Sequence, residues 1–185
     1  SAAKQATTSD GNVIIGDSAV GVGIKTSNDD VIIGSQAGED MTSGSQIAIG
    51  HRAGDGITTG GGGIHIGYDA GRVYDTEMHN IGIGNYSLGA SIAGGEYNIA
   101  IGYQTLDALT SADYNTVIGY TAGGAITTGG NNTIMGYLAG ADITDDTNNT
   151  IIGYRAGNAL TDGANVIIGA DAARVGTTHT DNVII

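Results

Sequence analysis

The chain has 185 residues, 34 of them glycine, with no proline, cysteine, tryptophan or phenylalanine. Its 6 basic and 19 acidic residues leave a net charge of −13, which repels phosphate backbones and argues against nucleic-acid binding. No apolar run approaches the roughly 18 residues of a membrane span, the absence of cysteine excludes disulfides and thiolate zinc sites, and 40% apolar residues are too many for an acidic disordered chain.

Segment 1–10 lacks the apolar centre of a signal peptide. From Asn12 onward the chain repeats itself. Gly16, Gly34, Gly50, Gly67, Gly84, Gly102, Gly119, Gly136, Gly153 and Gly169 are separated by 16 to 18 residues, with a mean of 17. The units fall near 12–28, 29–45, 46–62, 63–79, 80–97, 98–114, 115–131, 132–148, 149–164 and 165–181, with a partial unit at 182–185. Together they read as one domain over 1–185 with no linker. Seventeen residues are too few for a helical-hairpin repeat of about 34, and this density of glycine and β-branched residues disfavours helix. The expected class is all-β: a parallel β-roll or solenoid of 10 to 11 coils stacked about 4.8 Å apart.

Each column of the repeat has its own chemistry. One residue before the glycine stand nine isoleucines and Met135, which reads as a buried interior column. Three before it are Val13, Val31, Ile47, Ile64, Ile81, Ile99, Thr116, Thr133, Thr150 and Val166, on the same strand face by two-residue alternation. Between them lie Ile14, Ile32, Ala48, His65, Gly82, Ala100, Val117, Ile134, Ile151 and Ile167. Alternation turns this mostly apolar column the opposite way, where water would meet a ladder of isoleucine. That predicts a homo-oligomer packed through these ten residues, closed around a shared axis. Four before the glycine an asparagine-rich column (Asn98, Asn115, Asn132, Asn149) reads as a corner, since asparagine tolerates left-handed backbone.

The unit Asn-Thr-x-Ile-Gly-Tyr-x-Ala-Gly, best seen in Asn98–Tyr103, Asn115–Gly123, Asn132–Gly140 and Asn149–Gly157, resembles the head repeats of trimeric autotransporter adhesins. It is still more similar to repeats in the tail fibres of tailed bacteriophages. The resemblance implies a left-handed parallel β-roll assembled as a homotrimeric fibre, located in the virion or on an extracellular surface. Its partners would be itself and a bacterial surface receptor such as a glycan. The lack of an anchor or coiled-coil stalk within these residues favours a phage tail-fibre shaft or receptor-binding segment over a bacterial adhesin head.

Tyr68, Tyr103, Tyr120, Tyr137 and Tyr154 follow the glycine and are expected to stack as a ladder that offers either a sugar-binding strip or a structural seam, with Tyr103, Tyr120, Tyr137 and Tyr154 as candidate recognition residues. Two irregular turns add Arg72, Tyr74 and His79, and Arg174 and His179. No catalytic residue, metal ligand or cofactor is expected. His65 stands alone at its level, and the aspartates Asp142, Asp145, Asp146, Asp162 and Asp171 lack the nine-residue calcium-roll motif. Threonines 58, 59, 127, 128 and 144 raise an ice-binding alternative, and the acidic turns an ion-stabilised one. No insertion is large enough to wall an enzymatic cleft.

Overall fold

A computed structural model describes residues 11–21, 29–42, 44–72, 76–90, 92–158, 163–174 and 181–185. Among these residues, eleven short strands, from β1 (Val13–Ile15) to β11 (Val183–Ile184), pair in parallel in strict chain order as one sheet. The register is constant: β6 (Ile99–Ile101) meets β7 (Thr116–Ile118) with Ile99 opposite Thr116, Ala100 opposite Val117 and Ile101 opposite Ile118. The protein is a β-solenoid with a repeat of about 17 residues, as its glycine spacing requires. Hydrogen bonds between coils continue through the turns, as in Gln36 N to Asp17 O, Gly38 N to Ala53 O and Thr42 N to Thr58 O.

The motif glycine is fixed by two independent constraints. Its φ lies between 130° and 148° in all ten coils, a region closed to L side chains. From Gly16 to Gly153, a Cβ there would also collide with the carbonyl group of the motif glycine one coil on; at Gly67 the gap would be 2.6 Å. Stacking the coils about 4.8 Å apart leaves no volume for a side chain in this column.

The strand faces are the reverse of those expected from the sequence. The central residue of each strand points into the solenoid: Ile32, Ala48, Ala100, Val117, Ile134, Ile151 and Ile167 are fully buried within one chain, and His65 nearly so. These residues, together with Ile14 and Gly82, therefore form the core of a single chain and are not an interface between copies. The flanking columns, including the near-invariant isoleucines, turn outward and are half-buried or exposed, with Ile15 at 56% and Met135 at 44%. A strand of three residues bounded by two corners sends one side chain in and two out. Both sets are mostly apolar here, so alternation alone could not orient them.

Opposite the central column lie the buried alanines Ala37, Ala53, Ala122, Ala139 and Ala156, and beyond them Met41, Ile57, Leu109, Ile126 and Ile143. The position four residues after the glycine adjusts volume. In several coils where it is glycine, the central residue is large: Ile134 with Gly140, Ile151 with Gly157, Val117 with Gly123; Gly54 faces the small Ala48 instead, beside Met41 and Ile57. Where the central residue shrinks to Gly82 or Ala100, that position becomes Leu88 or Leu106, both fully buried. These coils exchange mass across the roll, although Ala48 with Gly54 and Ile14 with Val20 do not follow the exchange.

The asparagine column is an internal ladder, not a left-handed corner. The residue before each asparagine takes the positive φ, as in Tyr97 (58°), Tyr114 (60°), Asn131 (59°) and Asn148 (61°). The asparagines are buried. Asn115 donates from Nδ2 to Oδ1 of Asn98 (3.0 Å) and to the Gly129 carbonyl across the coil (3.0 Å), while its backbone N–H donates to the same Asn98 Oδ1 (3.1 Å). Asn132 repeats this set one coil on. Each side chain thus satisfies buried donors and acceptors of two coils that would otherwise be unpaired.

Candidate functional site

Beside the outward aliphatic columns, a repeating column of aromatic side chains is exposed. Tyr103, Tyr120, Tyr137 and Tyr154 stack in line, with ring centroids 5.2, 5.2 and 5.4 Å apart and interplanar angles of 13°, 14° and 9°. Each is between 38% and 49% exposed. The constant register sets this spacing, because side chains at the same repeat position stand one coil apart. Near-parallel stacking uses the ring faces within the ladder, so only ring edges and hydroxyl groups meet solvent along it. A sugar stacking on the flat of a ring is therefore confined to the ladder ends.

The ladder is interrupted one coil below Tyr103. Asn85 occupies the position after Gly84, and Tyr86, one residue later, reaches its neighbours edge-on: 5.4 Å and 62° to Tyr68, 6.0 Å and 84° to Tyr103. Tyr68 in turn leans on His51 at 5.2 Å. A second aromatic stack, which the sequence reading passed over, joins His79, Tyr97 and Tyr114 at 5.1 and 5.3 Å. All three stand five residues before a motif glycine, a spacing visible in the sequence once that column is compared.

Among the other candidates, Arg72 and Arg174 share one device. Arg72 pairs with Asp69 and Arg174 with Asp171, each at 3.8 Å and three residues apart. In both places the coil before supplies a second arginine to the same carboxylate: Arg52 to Asp69 (3.8 Å) and Arg155 to Asp171 (3.7 Å). These arginines neutralise turn aspartates, so a ligand using them must compete with existing pairs. Tyr74 and His179 lie outside the described residues. Thr42, Thr110 and Thr127 donate their hydroxyls to the carbonyls of Thr58, Thr127 and Thr144 one coil on, in two separate short runs of one column.

His65 is enclosed between the small residues Ala48 and Gly82 of the adjacent strands. Burial lowers its pKa to about 4, so the ring is neutral at physiological pH. Burial also raises the Asp107 and Asp55 carboxyls above the usual range. Asp107 lines a shallow surface groove of about 290 Å³ with Gln104, Thr121, Leu138 and Asp142. A second groove, of about 260 Å³, lies where Gly63 breaks the asparagine column, beside Gln46. Among the described residues no three His, Asp or Glu side chains converge as a metal site, and no helix is long and apolar enough to cross a membrane. The chain matches no known family model, no curated protein and no solved structure.

Proposed function

We propose that the protein is a non-enzymatic structural rod that self-associates through the outer face of its sheet, as a homotrimeric fibre, and presents repeated surface columns to a target. The observation that carries this reading is the outward pair of uncharged columns, apolar except at Thr116, Thr133 and Thr150. Over eleven strands they form a strip about 10 Å wide and about 50 Å long, at the upper end of what soluble monomers leave exposed. The strip bears no charge although the chain carries −13, so copies can meet there without bringing carboxylates together. A ladder of isoleucine repeating at each coil is matched in pitch by another copy of itself, and a symmetric assembly buries every copy equally.

The same reading covers recognition. A rigid rod holds many equivalent side chains in line, and several weak contacts along it add through effective concentration. The repeat's resemblance to tail-fibre and adhesin-head sequences makes a bacterial surface the target, with a phage fibre as the first setting and a cellular adhesin as the second. The test is electron microscopy of the purified chain, followed by binding of the labelled rod to bacterial cells. Uniform rods about 50 Å long per chain length that decorate cells support the proposal. Dispersed single particles that bind no cell from a broad panel overturn it.

A further inference from the structure

The two tyrosine stacks have a geometry that goes beyond packing. Tyr103, Tyr120, Tyr137 and Tyr154 are nearly parallel at 5.2 to 5.4 Å, and Tyr97 and Tyr114 at 5.3 Å and 8°. All six are more than a third exposed. Because the rings occupy the same repeat position and the sheet is in register, their hydroxyl groups lie along one edge. The ring carbons ortho to each hydroxyl then face their counterparts one coil away.

We propose that these ladders are sites of dityrosine cross-linking, closed by a one-electron oxidant of the haem-peroxidase class acting with hydrogen peroxide. Two phenols each give up one electron and one proton, and the peroxide accepts both pairs to become two molecules of water. The paired phenoxyl radicals join through one carbon–carbon bond between their ortho positions. The hydrogen at each of those carbons then returns to oxygen, which restores two phenols and leaves the pair two hydrogen atoms lighter. Stacking serves the reaction twice. It holds a second ring at contact distance when the first is oxidised, which converts a bimolecular encounter into an intramolecular one. It also lets an oxidised ring exchange an electron with its neighbour, so radicals formed at separate places in a ladder meet.

The product staples one coil to the next at the surface and closes loops of 17 residues between Tyr103, Tyr120, Tyr137 and Tyr154. Such cross-links restrict the unfolded chain as disulfides do, in a protein with no cysteine. The edge-on contacts of Tyr86 with Tyr68 and Tyr103 are a control within the molecule, since there the rings are tilted by 62° and 84° and are not stacked.

The test treats the dilute folded chain with a haem peroxidase and hydrogen peroxide, and reads dityrosine fluorescence, intact mass and the linked peptides of a digest. The expected links are Tyr103–Tyr120, Tyr120–Tyr137, Tyr137–Tyr154 and Tyr97–Tyr114, with a yield per chain independent of protein concentration and lowered by denaturant. Tyr137→Phe keeps the stacked ring without its phenol. It should remove both links to that position and leave Tyr103–Tyr120 unchanged. Links that form mainly between chains in proportion to concentration overturn the proposal. So do Tyr68–Tyr86 links as abundant as Tyr103–Tyr120, or no dityrosine from folded chain while free tyrosine couples in the same reaction.

Discussion

The imidazole of His65 fills the space that Gly71 leaves: a Cβ on Gly71 would collide with Nδ1 of that ring, and one on Gly63 would stand 2.6 Å from Nε2. The folded pKa of about 4 lies below the ordinary histidine value of 6.5. Between those values the unfolded chain binds more protons than the folded one. The stability that depends on the neutral ring is complete above 6.5 and is lost as the pH falls toward 4, by up to about 3 kcal/mol. His65→Ile restores the pairing of large central residue and glycine seen in Ile134 and Gly140, so it should remove this acid sensitivity. The check is the difference in urea midpoint between wild type and variant as the pH is lowered. A constant difference contradicts the assignment.

Glycine substitutions separate steric from conformational demands. Gly136→Ala drives a Cβ into the Gly153 carbonyl at φ 141°, and should cost upward of about 4 kcal/mol or prevent folding. Gly94→Ala, with φ 106° but nothing within 4 Å, should cost about 1–3 kcal/mol from backbone strain alone. Denaturant unfolding of the two variants measures the difference.

The exchange of volume across the roll predicts non-additive effects. Leu106→Gly leaves a cavity beside Ala100 and should cost about 3–5 kcal/mol, while Ala100→Ile overpacks against Leu106 and should cost about 1–3 kcal/mol. The double variant reproduces the arrangement of Ile134 and Gly140, and should cost less than either single change added to the other by about 1 kcal/mol or more. Additive midpoints would mean that the two side chains do not share one space.

A fourth prediction raises stability. Thr121 has φ 51°, and the equivalent residue of every coil is left-handed, from Gln104 at 49° to Tyr86 at 59°. The conformation is held by hydrogen bonds between coils, such as Thr121 N to Tyr103 O at 2.8 Å. A β-branched residue fits this region worst. Thr121→Gly should therefore stabilise the fold by about 0.5–1 kcal/mol, seen as a raised thermal midpoint.

The period, the strand centres and the parallel stacking were legible in the sequence because they follow from glycine spacing alone. The inward and outward faces were not. Column constancy misled: nine isoleucines and a methionine looked like a core, whereas the varied column of Ala48, His65, Gly82, Ala100 and Val117 is the core. An interior tolerates variation when a partner compensates, and the pairs Gly82 with Leu88 and Ala100 with Leu106 carried that signal in the sequence. A constant apolar residue at the surface instead suits a face that meets the same partner at every coil. The asparagines were placed correctly in the repeat, but their role depends on hydrogen bonds across the coil to residues 14 positions away, such as Asn98 to Ala112 at 2.8 Å. The tyrosine ladder was readable from its 17-residue spacing, whereas its use of ring faces depends on ring tilt, which spacing does not encode.

The outer face as the contact between copies is tested most directly by mass in solution. Light scattering coupled to size exclusion should give three times the 18.4 kDa of the single chain for wild type. It should give the single-chain mass, with an unchanged β-sheet circular dichroism spectrum, for the paired variant Ile101→Lys and Ile118→Lys. A wild-type protein that runs as a stable monomer, or a paired variant that keeps the wild-type mass, contradicts the account.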